Sequence, residues 1–183
     1  MGDKITIWKE KLQSISSNIN SEFGSMSSED LNWNPGIEKW SISQIIEHII
    51  KTNTSYFPIF DQLREGTFKT TFFGKIPFMT SLFGILILNS VKPDRKRKLK
   101  TLNIWEPSTS FISADIVVHF KKHQQQLIQK VESLKELLDK NIVIHSPANK
   151  YIVYTLDTSI EILVLHEERH LNQAREIRRM KFS

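Results

Sequence analysis

The stretch WSISQIIEHII, residues 40–50, contains the clearest start of a helix in the chain. Ser41 and Gln44 have the spacing of a capping box, in which each side chain accepts a hydrogen bond from the backbone N–H of the other residue. Apolar residues follow at intervals of three and four, as on the buried face of a helix. The sequence therefore predicts a helix from Ser41 to about Arg64, kinked or broken at Pro58.

Three more helices are predicted from the same apolar periodicity. They cover about residues 5–23, 108–139 and 157–180. Thr158 and Glu161 have the spacing of a second capping box, at the start of the last helix. Because only residues 151–154 resemble a strand, the sequence predicts an all-α protein. We expect an up-down four-helix bundle that forms one domain over residues 1–183.

An insertion of about residues 66–107 separates the second and third predicted helices. Residues 76–91 are strongly apolar, and residues 92–100 are strongly basic. The apolar part is shorter than the ~20 residues that a membrane-spanning helix needs, and polar residues interrupt it. Two interpretations are open. The segment is a short helix or loop packed over the bundle, or it lies on a membrane surface with its basic residues at the lipid headgroups.

The composition excludes several classes of function. With no cysteine, the chain has no disulfide, no thiolate nucleophile and no cysteine-containing zinc site. Its six glycines are never spaced as in the Gly-rich loops that bind nucleotides. A net charge of +5 is too small to indicate nucleic acid as a partner. Because the N-terminal residues contain no apolar secretion signal, we expect a cytoplasmic protein.

The sharpest candidate for chemistry is HEERH, residues 166–170, in the last predicted helix. His166 and His170 are one turn apart on the side that faces the core, so both imidazoles can bind one ion. A polar core pair without metal is the alternative. A zinc protease is disfavoured, because the downstream third ligand of the known H-E-x-x-H sites is missing. His48, at the edge of the apolar face of the second helix, is the candidate third ligand.

The remaining histidines give a weaker signal. His119 and His123 are also four residues apart, but they lie at the edge of the buried arc of the third predicted helix. We interpret them as residues at the boundary between core and solvent. His145 lies in a predicted loop.

Parts of the sequence resemble the DinB-like superfamily of small four-helix bundles. They are LNWNP, residues 31–35, KWSISQIIEH, residues 39–48, and HEERHLNQ, residues 166–173. The resemblance implies a metal-dependent hydrolase or thiol S-transferase that acts on a small molecule, with a low-molecular-weight thiol as one expected substrate. It implies a divalent metal cofactor, commonly nickel or zinc, bound by His48, His166 and His170. It gives no support for a nucleic-acid partner.

Three residues near these histidines in sequence are candidates for orienting the ligands or moving a proton: Glu47, Glu167 and Gln173. A helix turns by ~100° per residue, so Glu47 and Glu167 are rotated away from the neighbouring histidines and solvent exposure is an equal interpretation. The opposing hypothesis for the whole chain is a non-catalytic bundle that works as an interaction or membrane-surface module through residues 76–100. Exposed apolar residues on the helices would also support a homodimer.

Overall fold

Six α-helices and one β-hairpin form the part of the chain that the structure, a computed structural model, describes: residues 3–36, 39–93 and 101–183. The helices are α1 (Asp3–Phe23), α2 (Ser28–Asn32), α3 (Ile42–Arg64), α4 (Pro77–Val91), α5 (Ile116–Ser133) and α6 (Leu156–Phe182). Antiparallel strands β1 (Val143–Ser146) and β2 (Asn149–Thr155) form the hairpin. The protein is mostly helical, and the hairpin corrects the all-α prediction. A strand as short as β1 gives too little alternation to be recognised in sequence.

The start of α3 is the capping box that the sequence predicts. The Ser41 hydroxyl accepts a hydrogen bond from the Gln44 backbone N–H (3.2 Å), and the Gln44 side-chain oxygen accepts one from the Ser41 N–H (3.0 Å). The break predicted at Pro58 is wrong, since α3 continues through it to Arg64. Pro58 cannot donate to the carbonyl of Thr54. Both residues are exposed, so water can bond that carbonyl.

The four long helices, α1, α3, α5 and α6, surround the core. α1 and α3 each contact both α5 and α6. Apolar residues of all four are buried between them; those of α1 are Ile5, Trp8, Leu12, Ile15, Ile19 and Phe23. Because α3 and α6 are neighbours, the histidine of α3 faces the two histidines of α6.

α5 is shorter than the third predicted helix at both ends, since it covers Ile116–Ser133 rather than 108–139. Before it, hydrogen bonds join Asn32 to Ile112 and Glu47 to Ser108. These bonds hold the segment against α2 and α3 in a non-helical conformation. After it, Asp139 has a positive φ, which a continuing helix does not allow.

α6 begins directly after β2. The hydroxyl of Thr155 accepts a hydrogen bond from the Thr158 backbone N–H (3.1 Å) and caps the helix. The predicted capping box of Thr158 and Glu161 is therefore wrong, because the true cap lies one turn earlier. The helix ends at Phe182, close to the predicted end.

The insertion after α3 is partly helical and packs over the long helices, as the first of its two interpretations predicts. α4 packs against β2 and α6, and a short 3-10 helix, Asn103–Trp105, contacts α3. Within the described ranges, no helix is long and apolar enough to cross a membrane. Most of the basic run at 92–100 lies outside the described residues, which omit 94–100. The cytoplasmic location stays a prediction.

Candidate metal centre

Three histidine side chains meet where α3 faces α6. His48 Nε2 lies 3.1 Å from His166 Nε2, which lies 3.0 Å from His170 Nε2. His48 and His170 are buried, and His166 is half-buried. The three ligand nitrogens lie within 4.8 Å of one another, so these residues could hold one metal ion. The structure thus brings together the three histidines that the sequence predicts as metal ligands.

The insertion fixes the orientation of His48. Its Nδ1 lies 2.7 Å from the backbone carbonyl oxygen of Trp105. Because a carbonyl can only accept, Nδ1 carries the proton and donates it, and Nε2 keeps a free lone pair. The indole Nε1 of Trp105 donates to Ser55 Oγ at 3.1 Å, which ties Trp105 to α3. A histidine held in this way has the tautomer that a metal ligand needs.

The contacts among the imidazoles fit a shared cation. Each neutral imidazole has one N–H, and that of His48 is on Nδ1. His166 Nε2 faces a nitrogen on either side, so at most one of its contacts, to His48 or to His170, can be a hydrogen bond. Nitrogen ligands at about 2.0–2.1 Å from a tetrahedral zinc ion are about 3.3 Å apart, close to the distances of His166 Nε2 from His48 Nε2 (3.1 Å) and from His170 Nε2 (3.0 Å). The donor set therefore fits a divalent ion that prefers nitrogen.

Burial favours the neutral form of all three imidazoles. It lowers the pKa of His48 below its ordinary value and outweighs the opposing hydrogen bond to Trp105. It lowers the pKa of His166 and the pKa of His170 well below the ordinary value, and the neighbouring histidines add to the effect. Only a neutral imidazole offers a lone pair to a metal, so the ligands are in their binding form at neutral pH.

A cavity of about 540 Å³ opens onto the histidines. Its walls come from α3, α6, the hairpin and the insertion, and they are largely apolar. The lining includes Trp40, Ile87, Val91, Leu102, Trp105 and Ile162. A cavity of this volume suits a small molecule, and the insertion shapes the access to it.

Of the three residues predicted beside the ligands, Gln173 lines the cavity. Glu47 instead accepts hydrogen bonds from the Ser108 N–H and hydroxyl, at 2.5 and 2.7 Å, and pairs with Lys51. Partial burial would raise the pKa of Glu47, but these hydrogen bonds outweigh it and leave the pKa below its ordinary value. Glu47 thus anchors the segment that follows Trp105, the residue whose carbonyl contacts His48.

Glu167 lies in the core rather than in the cavity wall. Its side chain is fully buried, and its oxygens accept hydrogen bonds from Asn53 Nδ2 (2.7 Å) and Gln124 Nε2 (2.5 Å). Gln124 Nε2 also donates to the Leu12 carbonyl at 3.1 Å. Burial raises the pKa of Glu167 to about 8, against the lowering effect of the two hydrogen bonds. The network contains one residue from each of the four long helices.

Three polar residues of the cavity wall are missed by the sequence analysis. The buried Tyr56 and Tyr154 have their hydroxyl oxygens 2.7 Å apart. The hydroxyl of Thr52 is buried and has no partner among the described residues. Thr52 and Tyr56 follow His48 at intervals of four, and this spacing on one helical face is the signal that could have found them.

The remaining histidines lie outside this group. His119 is exposed on α5. His123 is buried rather than at the predicted boundary, and its ring stacks on Phe57 with centroids 5.2 Å apart. His145 packs beside Phe68, with ring centroids 5.6 Å apart.

The stability of the protein should depend on pH through His123. Burial lowers the pKa of His123 to about 4 from the model-peptide value of 6.5. Between pH 4 and pH 6.5, His123 binds more protons in the unfolded chain than in the folded chain. The contribution of His123 to stability is therefore fully present above pH 6.5 and is lost as the pH falls toward 4. We expect His123→Phe, which keeps a ring on Phe57, to reduce the slope of unfolding free energy against pH by about 1 kcal/mol per unit. Urea unfolding across this pH range measures the slope. His119→Gln should keep the wild-type slope, and an unchanged slope in His123→Phe would contradict the prediction.

Comparison with known proteins places the chain in a family. The sequence model of the DinB superfamily matches residues 15–174, a range that includes all three histidines. The chain belongs to the DinB superfamily. This DinB-superfamily protein is also similar to the uncharacterized protein YuaE of Bacillus subtilis (strain 168), with 26% identity over 159 residues, 86% of this chain and 88% of YuaE. No solved structure matches it.

Proposed function

We propose that this DinB-superfamily protein is a metal-dependent enzyme that acts on a small molecule. The observation that carries the proposal is the meeting of His48, His166 and His170 at a largely apolar cavity. Nickel and zinc, the cofactors that the resemblance implies, are among the metals that suit imidazole nitrogens. We propose that α1, α3, α5 and α6 form an up-down four-helix bundle in one domain, which the contacts of α1 and α3 with α5 and α6 support.

The proposed reaction is hydrolysis or thiol S-transfer. A bound divalent cation supplies Lewis acidity, which lowers the pKa of a water or thiol and polarises an electrophile. The Trp105 carbonyl keeps the lone pair of His48 on Nε2, so that ligand is oriented before anything binds. Because the chain has no cysteine, the thiol in an S-transfer has to come from a small molecule.

The rest of the cavity binds and orients the substrate in this proposal. Its apolar walls exclude water and favour a substrate with an apolar portion. Gln173, which lines the cavity, offers hydrogen bonds to polar groups of that substrate. We therefore propose a substrate that combines an apolar body with at least one polar group.

The test is a rate assay on metal-loaded protein with two chromogenic probes. A nitrophenyl ester reports hydrolysis, and an aryl halide with a small thiol reports S-transfer. We expect nickel or zinc to raise at least one rate above that of the metal-free protein, and His170→Ala to remove the gain. His119→Ala changes an exposed histidine outside the site, and this variant should keep the metal-dependent increase in rate. A chain that binds metal but accelerates neither probe would count against both reactions.

A further inference from the structure

The outer side of α4 is an exposed apolar surface. Phe78, Leu82, Ile85 and Leu86 are 70%, 38%, 60% and 53% exposed. Their intervals of four, three and one residues place them on one face of the helix. We call these four residues the α4 patch. Exposed apolar residues collected in this way mark a site of interaction.

The inner side of α4 attaches the patch firmly to the protein. Thr80 and Gly84 are the buried residues of α4. Gly84 lies so close to Tyr154 and Thr158 that a Cβ atom there would be within 3.7 Å of both side chains. α4 is thus laid along β2 and the start of α6, and its patch faces away from them.

The charged residues that flank α4 in the sequence are of one sign. In the sequence, no acidic residue stands between Glu65 and Asp94. Exposed lysines flank the helix instead: Lys75 shortly before it and Lys92 directly after it. Lysines at the ends of an apolar helix can keep their ammonium groups at lipid headgroups while their stems lie along the apolar surface. The surroundings of the patch are therefore complementary to an anionic lipid surface.

We propose that the α4 patch binds an anionic membrane surface, with α4 lying in the plane of the interface. Fifteen residues make a helix of about 22 Å, too short to span a bilayer but long enough to insert four large side chains among the acyl chains. Because α4 contains no charged residue, these side chains can insert to the level of the acyl chains. The inference is independent of the proposed metal chemistry, because none of the histidines lies in the patch.

Co-sedimentation with lipid vesicles tests the proposal. The probes are vesicles of phosphatidylcholine alone and vesicles with equal amounts of phosphatidylcholine and phosphatidylglycerol. We expect binding to the anionic vesicles, and a loss of affinity of about tenfold or more in the double variant Ile85→Ser with Leu86→Ser. Val118→Ser is the matched control, because Val118 is an exposed apolar residue on α5, away from the patch.

A second variant tests the charge. Lys75→Glu with Lys92→Glu should weaken binding to the anionic vesicles and leave the patch intact. Far-ultraviolet circular dichroism checks that every variant keeps its helices. Equal binding by the Ile85/Leu86 variant and the wild type, or no binding to anionic vesicles, overturns the proposal. A dimer in light scattering that this variant converts to a monomer overturns it as well, and assigns the patch to a second copy of the chain.

Discussion

Replacing His166 with alanine should reduce bound divalent metal from about one ion per chain to background. His166 Nε2 is the central atom of the group, since it contacts the Nε2 atoms of both His48 and His170. Without it, two imidazoles remain, and they lie on different helices. Elemental analysis of tag-free protein, purified without chelators and incubated with Ni²⁺ or Zn²⁺, measures the loss.

The matched control is His119→Ala, which removes an exposed histidine and should keep full metal content. The wild type should also unfold at a higher temperature with metal than without it, because an ion that binds the folded chain alone stabilises it. That increase should vanish in His166→Ala. Wild-type protein that binds neither Ni²⁺ nor Zn²⁺ would contradict the prediction. His166→Ala protein that still binds about one ion per chain would contradict it as well.

The residues of this site were predictable to the extent that local contacts decide their positions. The start of α3 depends on a capping box within four residues, so the sequence predicts it correctly. His166 and His170 share a helix, and their spacing alone puts them on one face. His48 joins them through the contact between α3 and α6. The apolar periodicity predicts a buried face on each helix, and the resemblance to the DinB-like superfamily implies that these two faces meet.

Trp105 shows why the rest was not predictable. It orients His48 with its backbone carbonyl, a group that every residue has, and the two residues are 57 positions apart in sequence. The rotation of α4 about its axis could not be predicted either. The helix is apolar on all sides, so periodicity does not distinguish the buried face from the exposed face. Only the packing of the folded chain decides between them.

Replacing Glu167 with alanine should destabilise the protein by about 3–5 kcal/mol. The substitution leaves the buried amide of Asn53 without the oxygen to which it donates, and it leaves the buried amide of Gln124 with the Leu12 carbonyl as its remaining acceptor. An unsatisfied buried donor costs about 1–3 kcal/mol, and the space left by the side chain adds a cavity. Urea unfolding at neutral pH measures the change in the free energy of unfolding.

Glu168→Ala is the matched control, one residue further along α6. Glu168 pairs with Lys11 at 3.2 Å at the surface, with 28% of its own side chain exposed. An exposed pair of this kind contributes about 0–1 kcal/mol. The two neighbouring glutamates should therefore differ widely in their effect on stability. Equal stability losses in the two alanine variants would contradict the network as described.

Glu167→Gln separates a structural role from a role in proton transfer. Glutamine keeps the volume and one acceptor oxygen, but it turns an NH₂ group toward one of the two donating amides, so an intermediate loss of stability of about 1–3 kcal/mol is expected. Because Glu167 donates nothing to the cavity and bonds only to the core amides among the described residues, the variant should retain its metal. If the variant were as stable as the wild type but lost metal-dependent rate, Glu167 would act in proton transfer, and the core network would not be its main role.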